Sequence, residues 1–203
     1  MSISGVNRHS INETGQMASL RSQGKRKTAV NLMHTQPDIK NFDQSAFRKA
    51  LSCFPTGVGV VTIVSADGQP HGMTISSFNS VSMNPPLILW SIGLEAACLD
   101  DFRQAEAFAI NILAADQKPI SQQFAQTKQN RFAGLDWHLS PTGLPLLDGA
   151  AATLSCRVWS RYPGGDHEII VGEVYELTCS DKTPLLYGLG QLTSFPNNLK
   201  QFN

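Results

Sequence analysis

The sequence lacks the short motifs on which several common enzyme classes depend. Its 203 residues contain no G-x-x-x-x-G-K-[ST] loop, no H-E-x-x-H pair and no G-x-S-x-G elbow. Gly57-Val58-Gly59 opens like a dinucleotide fingerprint, but Thr62 stands where the third glycine is needed and a predicted strand follows. Phosphate-loop NTPases, zinc proteases, serine hydrolases and Rossmann domains are therefore not indicated, and both glycines are interpreted as structural.

Charge is also scarce, and it is balanced. Charged residues make up 16% of the chain, with 16 basic and 16 acidic side chains, so the formal net charge is zero. Residues 1–40 carry six basic and two acidic side chains, whereas the remainder carries 10 and 14. This balance favours neither a nucleic acid nor a membrane surface as a partner, and we predict neither.

Cysteine is sparse, and its spacing is not that of a metal site. The four cysteines, Cys53, Cys98, Cys156 and Cys179, form no C-x-x-C pair and the histidines are scattered, so no metal is predicted. We interpret the cysteines as buried free thiols in a reducing compartment. No apolar run approaches the roughly 20 residues of a membrane span, and the N-terminus lacks the apolar stretch of a secretory signal. These features predict a cytoplasmic protein, with a mitochondrial-type transit peptide in residues 1–33 as the alternative.

Polarity and periodicity divide the chain into two regions. Residues 1–40 are rich in Ser, Gln and Asn, and we predict a flexible tail because they cannot bury enough apolar surface to offset the entropy of ordering. Residues 41–203 are the predicted domain. It begins with a helix capped by Asp43 and ended by Pro55. The inward face of this helix is expected to carry the apolar residues at helical spacing, Phe47, Ala50, Leu51 and Phe54.

The rest of the domain alternates β-branched or apolar segments with turn signals. Strands are predicted at 58–64, 72–78, 87–92, 108–113, 153–159, 169–177 and 185–187. Asp67-Gly68 predicts a hairpin turn between the first two. Two short helices are predicted near 97–104, with Leu99 and Phe102 inward, and 119–126, with Ile120 and Phe124 inward. Seven strands with few helices predict a mainly β fold that is closed or nearly closed into a barrel, because closure removes exposed strand edges.

The most unusual stretch runs from His71 to Pro86. Within nine of its residues it places the polar side chains of Thr74, Ser76, Ser77, Asn79, Ser80 and Ser82. One interpretation is a strand with a solvent-facing polar side, followed by a loop. The other is a ligand cradle, in which hydroxyls and backbone N–H groups bind ring oxygens, ribityl hydroxyls or phosphate without a charged side chain.

Two further segments admit a functional interpretation. Gly164-Gly165-Asp166-His167 predicts a turn that presents an imidazole at the mouth of a strand, with an ordinary hairpin loop as the alternative. Residues 111–117 lead into the helix of Phe124, and Asn130 and Arg131 follow it. In the functional interpretation, the backbone amides at the start of this helix and the side chain of Arg131 lie near an anionic group of a ligand. The alternative is a strand–loop–helix unit with a surface arginine.

Together and in this order, the segments resemble the flavin reductase-like family of flavin-binding split-barrel proteins. The matches are Phe54-Pro-Thr-Gly-Val-Gly-Val-Val-Thr62, residues 72–86, residues 111–117 with Phe124, Gly165-Asp166-His167 followed by Gly172, and Pro184-Leu-Leu-Tyr187. The resemblance implies a mainly β fold, namely a Greek-key split β-barrel with a few short helices. It also implies a homodimer with flavin bound near the subunit interface.

The same resemblance implies roles for individual residues. The isoalloxazine ring would be lined by Thr74, Ile75, Ser76 and Ser77. Ring or ribityl contacts would come from Ser80, Val81 and Ser82. The ribityl-phosphate end would be surrounded by Ala114, Gln117, Phe124 and Arg131. Many relatives have serine at the position of Ala114, so one hydrogen bond is missing there. His167 would face the nicotinamide and is the one candidate catalytic residue.

These roles predict an NAD(P)H:flavin oxidoreductase that transfers a hydride from NADH or NADPH to FMN or FAD and hands reduced flavin to a separate monooxygenase. The cofactors carry the chemistry, so the protein needs no strong nucleophile. The alternatives are an FMN-retaining oxidase of the pyridoxamine-phosphate type, a non-catalytic flavin-binding protein, and a flavin-retaining enzyme with another acceptor. The Gly-Asp-His motif and the lack of an Arg/Lys cluster argue against the oxidase.

Overall fold

A computed structural model of the protein describes residues 42–127 and 130–196. The predicted tail, residues 1–40, lies outside the described residues, and the folded unit begins at Asp43. Its helices are α1 (Gln44–Ser52), α2 (Leu99–Gln104) and α3 (Lys118–Phe124), with a 3₁₀ turn at Ala115–Gln117. Its strands are β1 (Thr56–Gly57), β2 (Gly59–Val64), β3 (Pro70–Ile75), β4 (Asn79–Met83), β5 (Pro86–Gly93), β6 (Ala107–Ile112), β7 (Trp137–Leu139), β8 (Pro145–Leu147), β9 (Ala152–Gly164), β10 (His167–Cys179), β11 (Leu185–Gly188) and β12 (Gln191–Ser194).

Most strands belong to one antiparallel sheet of seven strands in the order β3-β2-β6-β9-β10-β5-β4. A three-stranded sheet, β1-β11-β12, and the hairpin β7-β8 accompany it. The prediction of a mainly β, split-barrel fold with a few short helices is confirmed. Full closure is not observed, since within the described ranges β3 and β4 end the seven-stranded sheet without pairing with each other. The sheet is therefore split-barrel-like and keeps two edges.

The two edges are protected in different ways, so closure is not needed to block edge-to-edge pairing. At β3, the Arg131 Nη1 donates to the Gly72 carbonyl at 2.5 Å, and Thr74 ties the strand to helix α3. Strand β4 is short, and a register irregularity between Ser80 and Ser82 interrupts its pairing with β5.

Strand β2 anchors the sheet and is buried from Gly59 to Ile63. Its Val and Ile residues suit a strand that is covered on both faces. Gly68 follows with φ of 80°, a left-handed conformation that glycine adopts without strain. The predicted Asp67-Gly68 hairpin is thus confirmed, with β2 and β3 paired in the register Gly59↔Ile75.

Two aromatic clusters fill the core. Trp90 packs edge-on against Phe102 and Phe108, with ring centroids 5.3 and 5.7 Å away. Phe124 packs edge-on against Phe132 at 5.0 Å. The predicted inward positions of the two short helices are confirmed, since Leu99, Phe102 and Phe124 are buried and Ile120 is half-buried.

Helix α1 departs from its prediction in burial. Asp43 Oδ1 caps the helix by accepting two backbone N–H hydrogen bonds at 2.8 and 3.1 Å, as predicted. The apolar face predicted to point inward is exposed in the single chain, where Phe47, Leu51 and Phe54 are 47%, 56% and 73% exposed. Helical periodicity identifies an apolar face, but it does not say which surface covers that face.

The cysteines depart from their prediction in the same respect. All four are free, as predicted, but Cys156 alone is buried, and Cys98 is partly buried. The prediction of burial is wrong for Cys53 and Cys179, because Cys53 caps the exposed helix α1 and Cys179 ends β10 beyond its buried part. Burial raises the pKa of the Cys156 thiol to about 12.

Candidate functional site

The hydroxyl-rich part of the predicted cradle, residues 74–82 of the stretch His71–Pro86, bridges the two edges of the seven-stranded sheet. It contains the end of β3, a three-residue connection and most of β4, and these two strands occupy opposite ends of the sheet order. A cavity of about 350 Å³, called here the Thr74 cavity, lies at the β3 end of the cradle. Three of the four residues predicted to line the isoalloxazine border this cavity, namely Thr74, Ile75 and Ser76. Helix α3 and the residue that ends it contribute Ser121, Gln122 and Ala125.

The hydroxyls at the start of the cradle differ in availability. Thr74 Oγ1 donates to the Ser121 carbonyl at 2.6 Å. Ser77 Oγ, which does not border the cavity, accepts from Ser91 N at 3.0 Å and donates to Ser91 O at 3.3 Å. Ser76 is exposed, and no hydrogen bond within the described ranges engages its hydroxyl. Thr74 and Ser77 therefore hold the walls in place, whereas Ser76 is free to bind a ligand.

The second half of the cradle lies on β4. Ser80 is exposed, Ser82 is half-buried, and Val81 between them is 50% exposed. The register irregularity of β4 falls at this point, so the backbone around Val81 is not fully paired with β5. The hydroxyls and backbone of this segment are accessible on the chain's surface.

Ala114 and Gln117 lie directly before α3, and neither is among the residues that line the Thr74 cavity. Ala114 is buried, and its N–H donates to Gln117 Oε1 at 3.0 Å. Gln117 Nε2 donates to the Asp148 carbonyl at 2.8 Å. The Gln117 amide is thus engaged on both sides by the protein, and it fixes the loop that begins α3.

Phe124 lies in the core and packs directly over strand β3. A Cβ at position 72 would lie 2.8 Å from Phe124 Cε1 and 3.0 Å from the Val61 carbonyl. Gly72 therefore allows α3 to approach the edge of the sheet closely. Ser121 and Gln122 of α3 border the Thr74 cavity, and Thr127 and Arg131, which follow the helix, border another.

Arg131 borders a second cavity of about 240 Å³, called here the Arg131 cavity, which shares no lining residue with the Thr74 cavity. His71 Nδ1 lies 3.0 Å from Asp101 Oδ2 in its wall. Besides the hydrogen bond of its Nη1 to Gly72, Arg131 has a buried Nε with no acceptor among the residues described. The structure thus separates Arg131 from Thr74, Ile75 and Ser76.

His167 lies on the hairpin that joins β9 and β10. The turn consists of Gly165, with φ of 75°, and Asp166, and His167 is the first residue of β10. Its imidazole is exposed, and Nδ1 lies 2.7 Å from Asp166 Oδ1. The hydrogen bond from His167, and then its charge, lower the pKa of the Asp166 carboxyl. The imidazole stands at a strand mouth, and its role remains a prediction.

The Thr74 cavity is uncharged. No acidic or basic side chain is among its described lining residues, and Val58 and Leu192 add apolar surface. Such a wall suits a neutral ring with polar edges better than an anion, because an unpaired buried charge would be costly. Within residues 42–127 and 130–196, no group of three His, Cys, Asp or Glu side chains is placed to hold a metal ion. Among the helices of those ranges, none has the length and apolar character required to cross a membrane.

Sequence reasoning missed several residues at the two cavities. Ser121 and Ala125 stand at i and i+4 and so share a helix face, a periodicity that identifies them as neighbours. Tyr187 belongs to the Pro184–Tyr187 segment, which the prediction singled out without assigning it a role. His71 and Asp101 carried no local signal, because they are brought together from β3 and α2 by the fold.

Comparisons with known proteins identify the family to which the chain is similar. The model of the flavin reductase like domain family matches residues 51–196. The chain is 42% identical over 151 residues to an FMN reductase (NADH) of Agrobacterium fabrum, covering 74% of this chain and 85% of that protein. It is also 42% identical over 143 residues to the reductase component of the flavin-dependent trigonelline monooxygenase of Acinetobacter baylyi, covering 70% of this chain but 46% of that protein. Its fold matches the NADH:FAD oxidoreductase of Streptomyces globisporus, solved with NAD and FAD fragments, with a TM-score of 0.74 and 36% identity over 80% of this chain and 98% of that chain.

Proposed function

The chain belongs to the flavin reductase-like family, and we propose that it is an NAD(P)H:flavin oxidoreductase that transfers a hydride from NADH or NADPH to FMN or FAD. The observation that carries this proposal is the uncharged Thr74 cavity, bordered by Thr74, Ile75 and Ser76 inside the segment that matches the family. The relative described as an FMN reductase (NADH) supports the reaction, and the neighbour solved with NAD and FAD fragments supports the pair of ligands.

The chemistry of the Thr74 cavity fits a flavin ring. Isoalloxazine is flat, with an apolar dimethylbenzene half and a pyrimidine half that carries carbonyl oxygens and an N–H group. The cavity offers apolar surface from Val58 and Ile75 and a free hydroxyl from Ser76. Neutral donors can meet the pyrimidine half without the desolvation of a charged side chain.

The chain's own contribution is positioning. Flavin, when bound, supplies the hydride acceptor, and the reduced nicotinamide supplies the hydride. Ser76, Ser80 and Ser82 would orient the ring and ribityl chain through hydroxyl and backbone donors, and Val81 would pack beside them. Thr74 would act indirectly, because its hydrogen bond to the Ser121 carbonyl holds α3 in place as the opposite wall of the cavity. Backbone N–H groups of the cradle would stabilise negative charge at the pyrimidine half.

We propose that the phosphate end of the flavin lies near Arg131. Its buried Nε has no acceptor, and no carboxylate pairs with its guanidinium, in the part of the chain that the structure describes. Phosphate oxygens satisfy such a guanidinium edge well. Ala114, Gln117 and Phe124 would contribute indirectly, since they fix the loop and the helix that lead to Arg131.

We place the nicotinamide beside His167. The Asp166 contact holds Nδ1 of the imidazole, which leaves Nε2 to face a ligand. His167 would orient the dinucleotide and support it electrostatically, and we assign it no proton transfer. An exposed group suits a substrate that binds and leaves in each cycle.

We propose that the protein is a homodimer with flavin near the subunit interface. The exposed apolar face of α1 and the exposed Trp159 and Tyr162 on β9 support this proposal, because large apolar surfaces mark interaction sites and symmetric pairing is the commonest way to cover them. Light scattering on the purified full chain should return twice the monomer mass. A monomer with full activity would contradict the proposal.

We also propose that reduced flavin passes to a separate monooxygenase in the cytoplasm. The relative named as the reductase component of a monooxygenase supports the transfer. The free cysteines support a reducing compartment. Mixing the protein that carries reduced flavin with candidate monooxygenases, and following formation of the monooxygenase product, tests the transfer directly.

The reaction is tested by steady-state absorbance of NADH and NADPH with FMN, FAD, riboflavin or no flavin. We expect oxidation of the nicotinamide only when a flavin is present. Flavin binding without turnover would indicate a carrier. Oxidation of pyridoxamine phosphate without oxidation of NADH or NADPH would indicate the oxidase instead.

A further inference from the structure

Tyr187 supplies the aromatic surface of the Thr74 cavity, among the residues that the structure places in its wall. It lies on β11, the central strand of the three-stranded sheet, where it pairs with Thr56 of β1 and Leu192 of β12. Pairing on both sides fixes the backbone that carries the ring. The residue is 40% exposed and lines the cavity, so it is accessible to a ligand.

The surroundings of Tyr187 in the cavity are apolar. Leu192 and Val58, which also line it, belong to the core cluster that contains Phe124 or pack against that cluster. This side of the cavity therefore offers aromatic and hydrocarbon surface on a rigid support. A ligand group placed here gains from burial if it is apolar, and it loses hydrogen bonds to water if it is polar.

The free polar groups lie on the other elements of the cavity. Thr74 Oγ1 and Ser121 Oγ are already engaged by the carbonyls of Ser121 and Lys118. Ser76, directly after β3, and Gln122 on α3 are exposed, and no side-chain hydrogen bond engages them in residues 42–127 and 130–196. The cavity is thus two-sided, with aromatic and apolar surface around Tyr187 and Leu192 and free donors and acceptors from Ser76 and Gln122.

We propose that Tyr187 determines flavin recognition by packing against the dimethylbenzene half of the isoalloxazine, while the pyrimidine half faces Ser76 and Gln122. This inference rests on the proposed flavin reductase function and adds an orientation for the ring. The reverse orientation would press the pyrimidine carbonyl and N–H groups against Leu192 and Val58, which offer no hydrogen-bond partner. It would also leave the two ring methyl groups beside free polar side chains.

Equilibrium binding, followed by flavin fluorescence, tests this orientation without any contribution from phosphate. The probes are riboflavin and a riboflavin analogue without the two ring methyl groups. The full chain should bind riboflavin roughly tenfold more tightly than the analogue, as expected for two methyl groups that become buried. Tyr187→Ala should weaken riboflavin binding about tenfold, as expected for the loss of an aromatic stacking partner, and should reduce the discrimination between the two probes.

Matched variants separate the ring from the hydroxyl and from tyrosines in general. Tyr187→Phe should keep both affinities within about twofold, because the ring and not the hydroxyl makes the contact. Tyr175→Ala should do the same, since Tyr175 is a comparably exposed tyrosine on β10 outside the cavity.

Each outcome decides the inference. Equal affinity of the unaltered chain for both probes, or undiminished discrimination in Tyr187→Ala, would overturn the orientation. If Tyr187→Ala fails to fold, the two probes with the unaltered chain and Tyr187→Phe still decide it. Absence of any flavin binding by the unaltered chain would contradict the proposed function, whereas flavin-dependent NADH oxidation without methyl discrimination would contradict this inference alone.

Discussion

The cradle and the Gly165–His167 hairpin present their side chains to ligands in opposite ways. In the cradle, the hydroxyls of Thr74 and Ser77 are already bound to backbone carbonyls across the fold. On the hairpin, the His167 imidazole is exposed, and the contact described for it is with its neighbour Asp166. One region is a neutral wall in which the fold holds two hydroxyls and leaves Ser76 free, and the other is an accessible group at a surface turn.

This difference teaches what each region can contribute. A wall that is hydrogen-bonded to the core can hold a flat ring in one orientation with little reorganisation. A surface imidazole can meet a substrate that enters and leaves. Substitution of the engaged cradle hydroxyls of Thr74 and Ser77 should therefore lower stability, substitution of the free Ser76 should lower flavin affinity, and substitutions on the hairpin should change nicotinamide kinetics.

The largest effect is expected for His167→Ala. Loss of one orienting contact should lower kcat/KM for NADH or NADPH by roughly ten- to a hundredfold, with flavin affinity and melting temperature nearly unchanged because the residue is exposed. Stopped-flow hydride transfer and flavin titration measure the two parts. His138→Ala is the matched control, since His138 is also exposed and paired with an aspartate. A large loss of stability with normal kinetics would show that His167 is structural.

Arg131→Gln should have the second largest effect, because the buried Nε of the Arg131 guanidinium has no acceptor among the residues described and the residue borders a cavity. We expect FMN affinity to fall about tenfold, the worth of one charge-assisted hydrogen bond, while riboflavin affinity stays the same. Titration with both flavins measures the difference. Arg157→Gln is the control, because Arg157 is exposed and already paired with Glu173. Equal losses of affinity for FMN and for riboflavin would show that Arg131 does not contact the phosphate.

Thr74→Val and Ser76→Ala test the cradle directly. Thr74→Val removes a hydrogen bond to the Ser121 carbonyl, so the free energy of unfolding should fall by about 1 kcal/mol. Ser76→Ala should leave stability unchanged and weaken flavin binding severalfold, since its hydroxyl is free. Urea unfolding and flavin titration on both variants separate the effects. The reverse pattern would mean that the two hydroxyls have exchanged roles.

The smallest effect concerns pH. The hydrogen bond from His167 lowers the pKa of Asp166 below its ordinary value of 3.8. The stability that this contact contributes is therefore present above about pH 3.8 and is lost as the pH falls through the lower, folded-state value. Because Asp166 is exposed, the effect on unfolding should be slight. Carboxyl titration by NMR should place its midpoint below 3.8, and His167→Ala should return it toward that value.

Local signals predicted the elements whose cause is local. The cap of Asp43, the Asp67-Gly68 turn and the inward Phe102 of α2 depend on residues within a few positions of one another, so a linear pattern identifies them. Strand β4 was missed because Asn79–Met83 is largely polar and becomes a strand through pairing with β5. The exposure of α1 was missed because periodicity reveals a face but not its partner.

The sequence by itself determined the family, the mainly β class, the order of the motifs and the hydroxyl-rich composition of the cradle. Only the tertiary structure decided which hydroxyls are free, that Arg131 borders a different cavity from Thr74, and that Tyr187 faces the same cavity as Ser76. The reason is that these outcomes depend on contacts between distant residues, such as Thr74 with Ser121 and Arg131 with Gly72, which lie 47 and 59 positions apart. The residue type determines whether a side chain can donate a hydrogen bond, but the packing of α3 against the sheet determines which acceptor it reaches.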